Sequence, residues 1–234
     1  MTYYRVFKQS LRVFLLDWMG LMLADFFTAI KKGNLIEVQK LVTDDPSLVD
    51  AFDGQGQTAV LTAAYYQKSE ISQFLVEQGA TLTLFEACAV GKLERVQALL
   101  NIQPDHINAF APDGFQPIGL AAFFGHTDVV KFLLEHGADV DTPSQNGLKV
   151  TPLNSAAAGG RIEIARMLLE RGANPNMRQA DDFVPLHAAA QNGQREMVEL
   201  LLKHGADKSL KNKEGKSAGD IALENEHPEL LLLL

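Results

Sequence analysis

One pattern recurs along this chain at a near-constant interval, and it leaves few folds open. It is a turn, a short apolar stretch, a break, a second apolar stretch at helical spacing and a glycine stop. The clearest copy, DGFQPIGLAAFFGHTDVVKFLLEHGADVD, runs from Asp113 to Asp141. Asp113-Gly114 is a turn signal, and Pro117 sits where a helix begins, at a position whose amide would have no intrahelical partner. Ile118, Ala121 and Ala122 predict a first helix with a narrow apolar face of small residues. Gly125-His126 breaks it. Val129, Val130, Leu133 and Leu134 then recur at helical spacing, and Gly137 reads as a C-cap. Neither helix is long enough to be stable alone, so each must be covered by a neighbour of the same kind.

The rest of the chain supplies those neighbours. The breaks fall at Gly33, Gln67, Gly91, Gly125, Gly160, Gly193 and Glu226, at intervals of 34, 24, 34, 35, 33 and 33. The segments TPLNSAAAGGRIEIARMLLERGANPN (151–176) and VPLHAAAQNGQREMVELLLKHGAD (184–207) repeat the same grammar. Thr151 caps a first helix ahead of Pro152, leucine pairs at 99–100, 133–134, 168–169 and 201–202 fill the second-helix layer, and Gly-Ala at 79–80, 137–138, 172–173 and 205–206 closes each unit. With a period of about 33 residues, the chain over residues 23–234 resembles the ankyrin-repeat proteins, and among them the bacterial-type repeat domains. The resemblance implies an all-α ankyrin-repeat solenoid of about seven helix-pair units with hairpin tips, preceded by an apolar extension at residues 1–22.

Departures from the period carry information. The interval of 24 deletes one tip between units two and three, where Gly79-Ala80-Thr81-Leu82-Thr83 leads almost directly into a helix. Asn146 to Thr151 holds two extra residues and predicts a longer tip. LVTDDPSLVDAFDGQGQTAV (41–60) aligns without gaps to LLNIQPDHINAFAPDGFQPI (99–118), an offset of 58, so the front half reads as a duplicated pair of repeats. The terminal units are atypical, as the ends of a stack must be. The run Leu230 to Leu234 predicts leucines facing solvent or a second molecule, a route to self-association.

Composition narrows the function classes. A formal charge of −8 argues against a nucleic-acid partner, which needs a basic face. The single cysteine, Cys88, rules out an internal disulfide and a cysteine-based zinc cluster; it is read as a small buried hydrophobe in a cytoplasmic protein. Residues 1–24 place Arg5, Lys8 and Arg12 ahead of the apolar run VFLLDWMGLMLA. Three readings stand for them: a helix covering the first repeat or a start at Met19 or Met22; a secretory signal; and a membrane anchor. Asp17 and Asp25 interrupt the run and weigh against the last, since a span needs about 20 apolar residues.

No catalytic or metal constellation appears, and no cofactor is expected. Histidines fall at structural positions: His126 and His227 at breaks, His136 and His204 before a glycine stop, near carbonyls that favour cationic character. By resemblance, His187 ties neighbouring loops. His106, in the insertion opened by Pro104, has no assigned role. Asp44-Asp45 and Asp181-Asp182 read as turn formers, and Ala158-Gly159-Gly160 as a break, not a phosphate loop.

What remains is a surface. The resemblance implies a concave face lined by tip residues and by the two residues after the small pair of each first helix. Those positions hold Tyr65-Tyr66, Ala89-Val90, Phe123-Phe124, Ala158-Gly159 and Gln191-Asn192, with Gln57, Phe115 and Phe183 at tips. Two readings stand for the aromatics: an exposed interaction patch, or rings packed on adjacent helices. The expected function is a non-catalytic scaffold that binds a protein partner. Tyr65, Tyr66, Phe115, Phe123 and Phe124 would act as anchors, with Asp181, Asp182, Phe183, Gln191 and Asn192 making further contacts. The alternatives are a regulatory or inhibitory subunit of an enzyme, and an envelope-associated binding protein using residues 1–24.

Overall fold

The computed structural model describes residues 20–234, so the readings that rest on residues 1–19 lie outside the described part. The chain divides into a first unit reaching to Leu82 and a second from Thr83 to Leu234. Among the described residues every regular element is helical apart from one isolated bridge between Phe52 and Thr58. The first unit holds two helix pairs: α1 (20–32) with α2 (Leu35–Asp44), and α3 (Ala59–Tyr65) with α4 (Ser69–Glu77). The second unit holds α5 (Leu84–Ala89) with α6 (Leu93–Ile102), α7 (Pro117–Phe124) with α8 (Thr127–Glu135), and α9 (Pro152–Ala158) with α10 (Ile162–Glu170). Then follow α11 (Pro185–Gln191) with α12 (Arg195–Lys203), and α13 (Ala218–Glu224) with a closing 3-10 turn at Pro228–Leu232. Among the described residues seven pairs are therefore present, the last with a shortened partner.

All seven breaks expected from sequence lie in the left-handed region, five at glycine and the others at Gln67 and Glu226. The next residue then returns its N–H to the first helix. Asn34, Lys68, Lys92, His126, Arg161, Gln194 and His227 donate to the carbonyls of Ala29, Ala63, Ala87, Ala121, Ala156, Ala189 and Ala222, at 2.8–2.9 Å. This is the 6→1 bond of a Schellman closure. The acceptor is a buried alanine in every unit, because first helices pack closely on one another. First-helix starts are capped as expected: Thr58 accepts from Leu61 N–H, and Thr151 and Ser217 form reciprocal capping boxes with Asn154 and Asp220. Thr83 does the same with Glu86, whose carboxylate accepts the Thr83 N–H at 2.7 Å while the side of the residue is almost fully buried.

One expectation needs correction. α7 has no narrow apolar face, since Pro117, Ile118, Gly119, Leu120, Ala121 and Ala122 are all buried. It lies between α5 and α9 and rests on α8, so neighbours cover it on three sides. A first helix inside a stack is apolar nearly all round, whereas α8 and its like keep a polar outer face.

The duplication is visible in the elements. α2, α3 and α4 start at 35, 59 and 69; α6, α7 and α8 start at 93, 117 and 127, each 58 later. Both copies carry a 3-10 turn after the second helix, at Pro46–Asp50 and Pro104–Asn108, again 58 apart. No tip separates α4 from α5, which are joined by residues 78–83 only.

Repeats are also laced together by side chains that the sequence reading had not singled out. In the second unit Asn108 accepts from Asp139 N–H at 2.9 Å, Asp141 from Asn174 N–H at 2.9 Å, and Asn176 from Asp207 N–H at 2.8 Å. In the first unit Asp50 accepts from Thr81 N–H at 2.7 Å. The common signal is a short polar residue, Asp or Asn, four to six residues past the end of a second helix or its glycine stop, where it reaches the amide about 31 to 33 residues on.

Candidate functional site

The tips are built from turns with a backbone bond across the base: Asp53 N–H to Gln57 O, Ala111 to Phe115, Ser144 to Val150, Gln179 to Phe183 and Asn212 to Lys216, all at 2.8–2.9 Å. The 144–150 turn is the longer one expected. Within the second unit these turns are joined to one another. Gln145 N–H donates to Gly114 O, Ala180 N–H to Leu148 O and Lys213 N–H to Asp181 O, at 2.8–2.9 Å. Arg178 Nη1 adds a bond to Lys211 O at 3.2 Å. A row of loops tied in this way is ordered before any partner arrives, which lowers the entropic cost of docking.

Two of the five aromatic anchor candidates reach solvent. Phe123 is 36% exposed and Tyr66 47%, while Tyr65, Phe115 and Phe124 are half-buried. Phe123 and Phe124 meet edge to face with ring centroids 5.1 Å apart. In the first unit the Lys31 ammonium lies 5.6 Å from the centre of the Tyr66 ring and 4.0 Å from Asp53, a cation–π contact beside the tip. Phe52, absent from the candidates, is 58% exposed. Its apolar ring in a polar turn was the available signal.

The polar candidates are less free than expected. Asp181 and Asp182 both have positive φ, 58° and 56°, a conformation non-glycine residues seldom hold unless their surroundings enforce it. Here Lys213 bonds Asp181 at 3.0 Å, and Arg178 Nη1 lies 3.6 Å from the Asp182 carboxylate. Phe183 is half-buried and stacks edge-on against His187 at 5.1 Å. Gln191 and Asn192 are exposed, and Asn192 Nδ2 donates to Ala158 O at 3.4 Å.

At five of the breaks the next residue lies over the glycine of the preceding unit. Lys68 covers Gly33 in the first unit; in the second, His126 covers Gly91, Arg161 covers Gly125, Gln194 covers Gly160 and His227 covers Gly193. Two of these lids also bond back. His126 Nε2 meets Ala89 O at 2.9 Å, and Arg161 Nε donates to Phe123 O at 3.2 Å, fixing the C-terminal turn of α7 beneath its exposed ring. His187 stands in for the missing threonine cap: its Nδ1 accepts the Val184 N–H at 3.3 Å, and its Nε2 meets Leu210 O at 3.0 Å. Burial lowers the pKa of both His126 and His187 below 6.5, opposed by their bonds to backbone carbonyls, so both rings are neutral at physiological pH. His136 Nδ1 bonds Phe132 O within its own helix at 2.8 Å.

Chemistry of other kinds has little to stand on among the described residues. Cys88 is fully buried in α5, and burial drives its thiol pKa far upward, away from nucleophilic character. No group of three or more His, Cys, Asp or Glu is placed to hold a metal ion. No described helix is long and apolar enough to cross a membrane. The open cleft of about 600 Å³ beside α1 and α2 is lined by Asp25, Lys32, Glu37 and Asp44 with apolar neighbours, and neither histidine nor cysteine is among its lining residues.

Comparison with known proteins agrees with this construction. A model of ankyrin repeats in three copies matches residues 84–179, and a model of the single ankyrin repeat matches 181–213, together just over half the chain. Among similar proteins, alpha-latrocrustotoxin-Lt1a of Latrodectus tredecimguttatus is 32% identical over 120 residues, 48% of this chain and 8% of that protein. Ankyrin repeat and SAM domain-containing protein 6 of Rattus norvegicus is 30% identical over 123 residues, 53% of this chain and 11% of its own. The probable 26S proteasome regulatory subunit p28 of Saccharomyces cerevisiae is 32% identical over 136 residues, 53% of this chain and 59% of its own. The chain thus spans less than two thirds of the length of each of these relatives. With seven helix pairs closed at left-handed breaks and two family models covering the middle and later repeats, the chain belongs to the ankyrin-repeat family.

Proposed function

We propose that this chain is a non-catalytic scaffold that binds a partner protein through the ends of its first helices and its tips. Ankyrin repeats are protein-interaction modules, which supports the class. The observation that carries the reading is Phe123: an exposed ring at the end of a helix whose first six residues are buried, with its own carbonyl held by Arg161. Large rings held on rigid backbone are what interfaces use as anchors. Phe124 and Phe115 support it in the second unit, and Asp181, Asp182, Phe183, Gln191 and Asn192 extend the surface toward later repeats. Tyr66 and the half-buried Tyr65 form a separate patch in the first unit. Capture of partners on the intact protein, compared with Phe123→Ala, tests the reading. The expected result is loss of at least one bound protein while melting changes little, against a loss of roughly 2–5 kcal/mol for the fully buried Ile118→Ala. If Phe123→Ala destabilises as Ile118→Ala does, the ring belongs to the core and the patch is refuted.

A second reading is favoured by one relative. The yeast protein is named as a probable proteasome regulatory subunit, and this chain spans more than half of it. A regulatory subunit would use the same fold and the same surface. Purification from the natural source under mild conditions separates the two, since this reading requires one enzyme or enzyme complex to accompany the chain in fixed proportion.

A further inference from the structure

The duplicated halves make an internal comparison possible, because the tip at 52–58 and the tip at 110–116 are two copies of one surface, 58 residues apart. In the later copy that surface is occupied. Gln145 N–H donates to Gly114 O at 2.8 Å, and Asn146 Nδ2 donates to Asp113 O at 2.8 Å. A Cβ on Gly114 would stand 2.7 Å from the Asn146 backbone nitrogen, so the following tip sits directly on it. Gly114 is buried there and Phe110 half-buried.

In the earlier copy the counterparts are Gly56, Gln55 and Phe52, and the same surface is open. Gly56 and Gln55 are exposed, Phe52 is 58% exposed, and nothing lies within 4 Å of a Cβ placed on Gly56. Among the described residues no hydrogen bond reaches the Gln55 or Gly56 carbonyl. The cause is in the chain itself: α8 is followed by residues 136–151 before α9, which form the seated tip, whereas α4 is followed by residues 78–83 alone. Both copies hold the acceptors, and the segment that carries the donors follows only the later one.

We propose that the 52–58 tip is a docking site for a tight turn of a partner protein. The turn is of the Asn-Gly kind, donating backbone and side-chain N–H groups to the Gly56 and Gln55 carbonyls and covering Phe52. Charge favours a neutral or basic turn. The described residues of the first unit carry four basic side chains (Lys31, Lys32, Lys40, Lys68) against eight acidic ones, and Lys31, the one beside the tip, is engaged with Asp53 and Tyr66. The turn seated on the later copy itself brings Lys149. This inference rests on the scaffold reading above and adds the shape and chemistry of what is bound.

The test uses as probe a cyclised peptide of residues 142–151, TPSQNGLKVT, the segment that fills the later copy. It is titrated into the full-length, isotope-labelled chain and followed by amide chemical shifts. Saturable shifts centred on Phe52, Gln55 and Gly56 are expected. Phe52→Ala should weaken binding about tenfold, as removal of one exposed aromatic contact does, and so should alanine at the asparagine of the peptide. Phe123→Ala should leave peptide binding unchanged. No saturable binding at millimolar peptide, shifts centred elsewhere, or indifference to Phe52→Ala would overturn the proposal. A dimer of the free chain that Phe52→Ala abolishes would make a second copy the occupant and overturn the assignment to a partner. If Phe123→Ala still loses its partner while the peptide fails to bind, this inference falls and the scaffold reading stands.

Discussion

Gly91→Ala offers a quantitative test of how the repeats are joined. A Cβ at Gly91 would lie 2.3 Å from His126 Nδ1, on a backbone with φ of +69°. The left-handed conformation alone costs an L-residue about 1–2 kcal/mol, offset by about 0.4–1 kcal/mol from the stiffer unfolded chain. That leaves a net cost of about 1 kcal/mol. Gly137 isolates this term, since its φ is +92° and nothing lies within 4 Å of a Cβ there. At Gly91 the imidazole must also swing away, losing its 2.9 Å bond and leaving the Ala89 carbonyl without that partner. An unsatisfied polar group of this kind costs a further ~2 kcal/mol. Gly91→Ala should therefore cost about 3 kcal/mol and Gly137→Ala about 1 kcal/mol. For a chain of this size the corresponding drops in melting temperature are roughly 6–12 °C and 2–4 °C. The decisive measurement is a double-mutant cycle by urea denaturation followed by circular dichroism. In a His126→Ala background the ring is gone, and Gly91→Ala should cost only its left-handed term, a coupling of about 2 kcal/mol. Equal costs in both backgrounds, or a Gly137→Ala as damaging as Gly91→Ala, would refute the account of His126 as a lid on the preceding repeat.

Two further outcomes follow from buried groups. Burial holds the folded His126 and His187 below 6.5, so the unfolded chain takes up protons first on acidification; the stability they carry is complete above that pH and is lost as pH falls through their folded values. Melting temperature should drop between pH 7 and 5, above the range where the lowered carboxyls of Asp139, Asp207 and Asp220 begin to matter, and His187→Gln should flatten the drop; a wild-type curve flat over this window would contradict the neutral-ring geometry. Cys88 should resist thiol reagents at pH 8 in the native chain and react rapidly in urea, and fast native labelling would place it outside the core.

The sequence by itself determined the helix pairs, their breaks and their caps. Each of those features is written in a run of fewer than ten residues, as at Gly125-His126, Thr151-Pro152 and the stop at Gly137. The offset of 58 was legible for the same reason, including the match of Pro46 with Pro104, and the structure adds that each proline opens a 3-10 turn. Tertiary structure decided which side chains remain available. Phe123 is exposed and Phe124 half-buried although they are adjacent and chemically identical, because exposure is set by what lies over a ring. Asp181 and Asp182 are paired with Lys213 and Arg178, and Gly56 stands open where Gly114 is covered. Most such coverage comes from residues some 30 positions away, in the next repeat, and a local pattern holds no record of whether that next repeat has kept its tip.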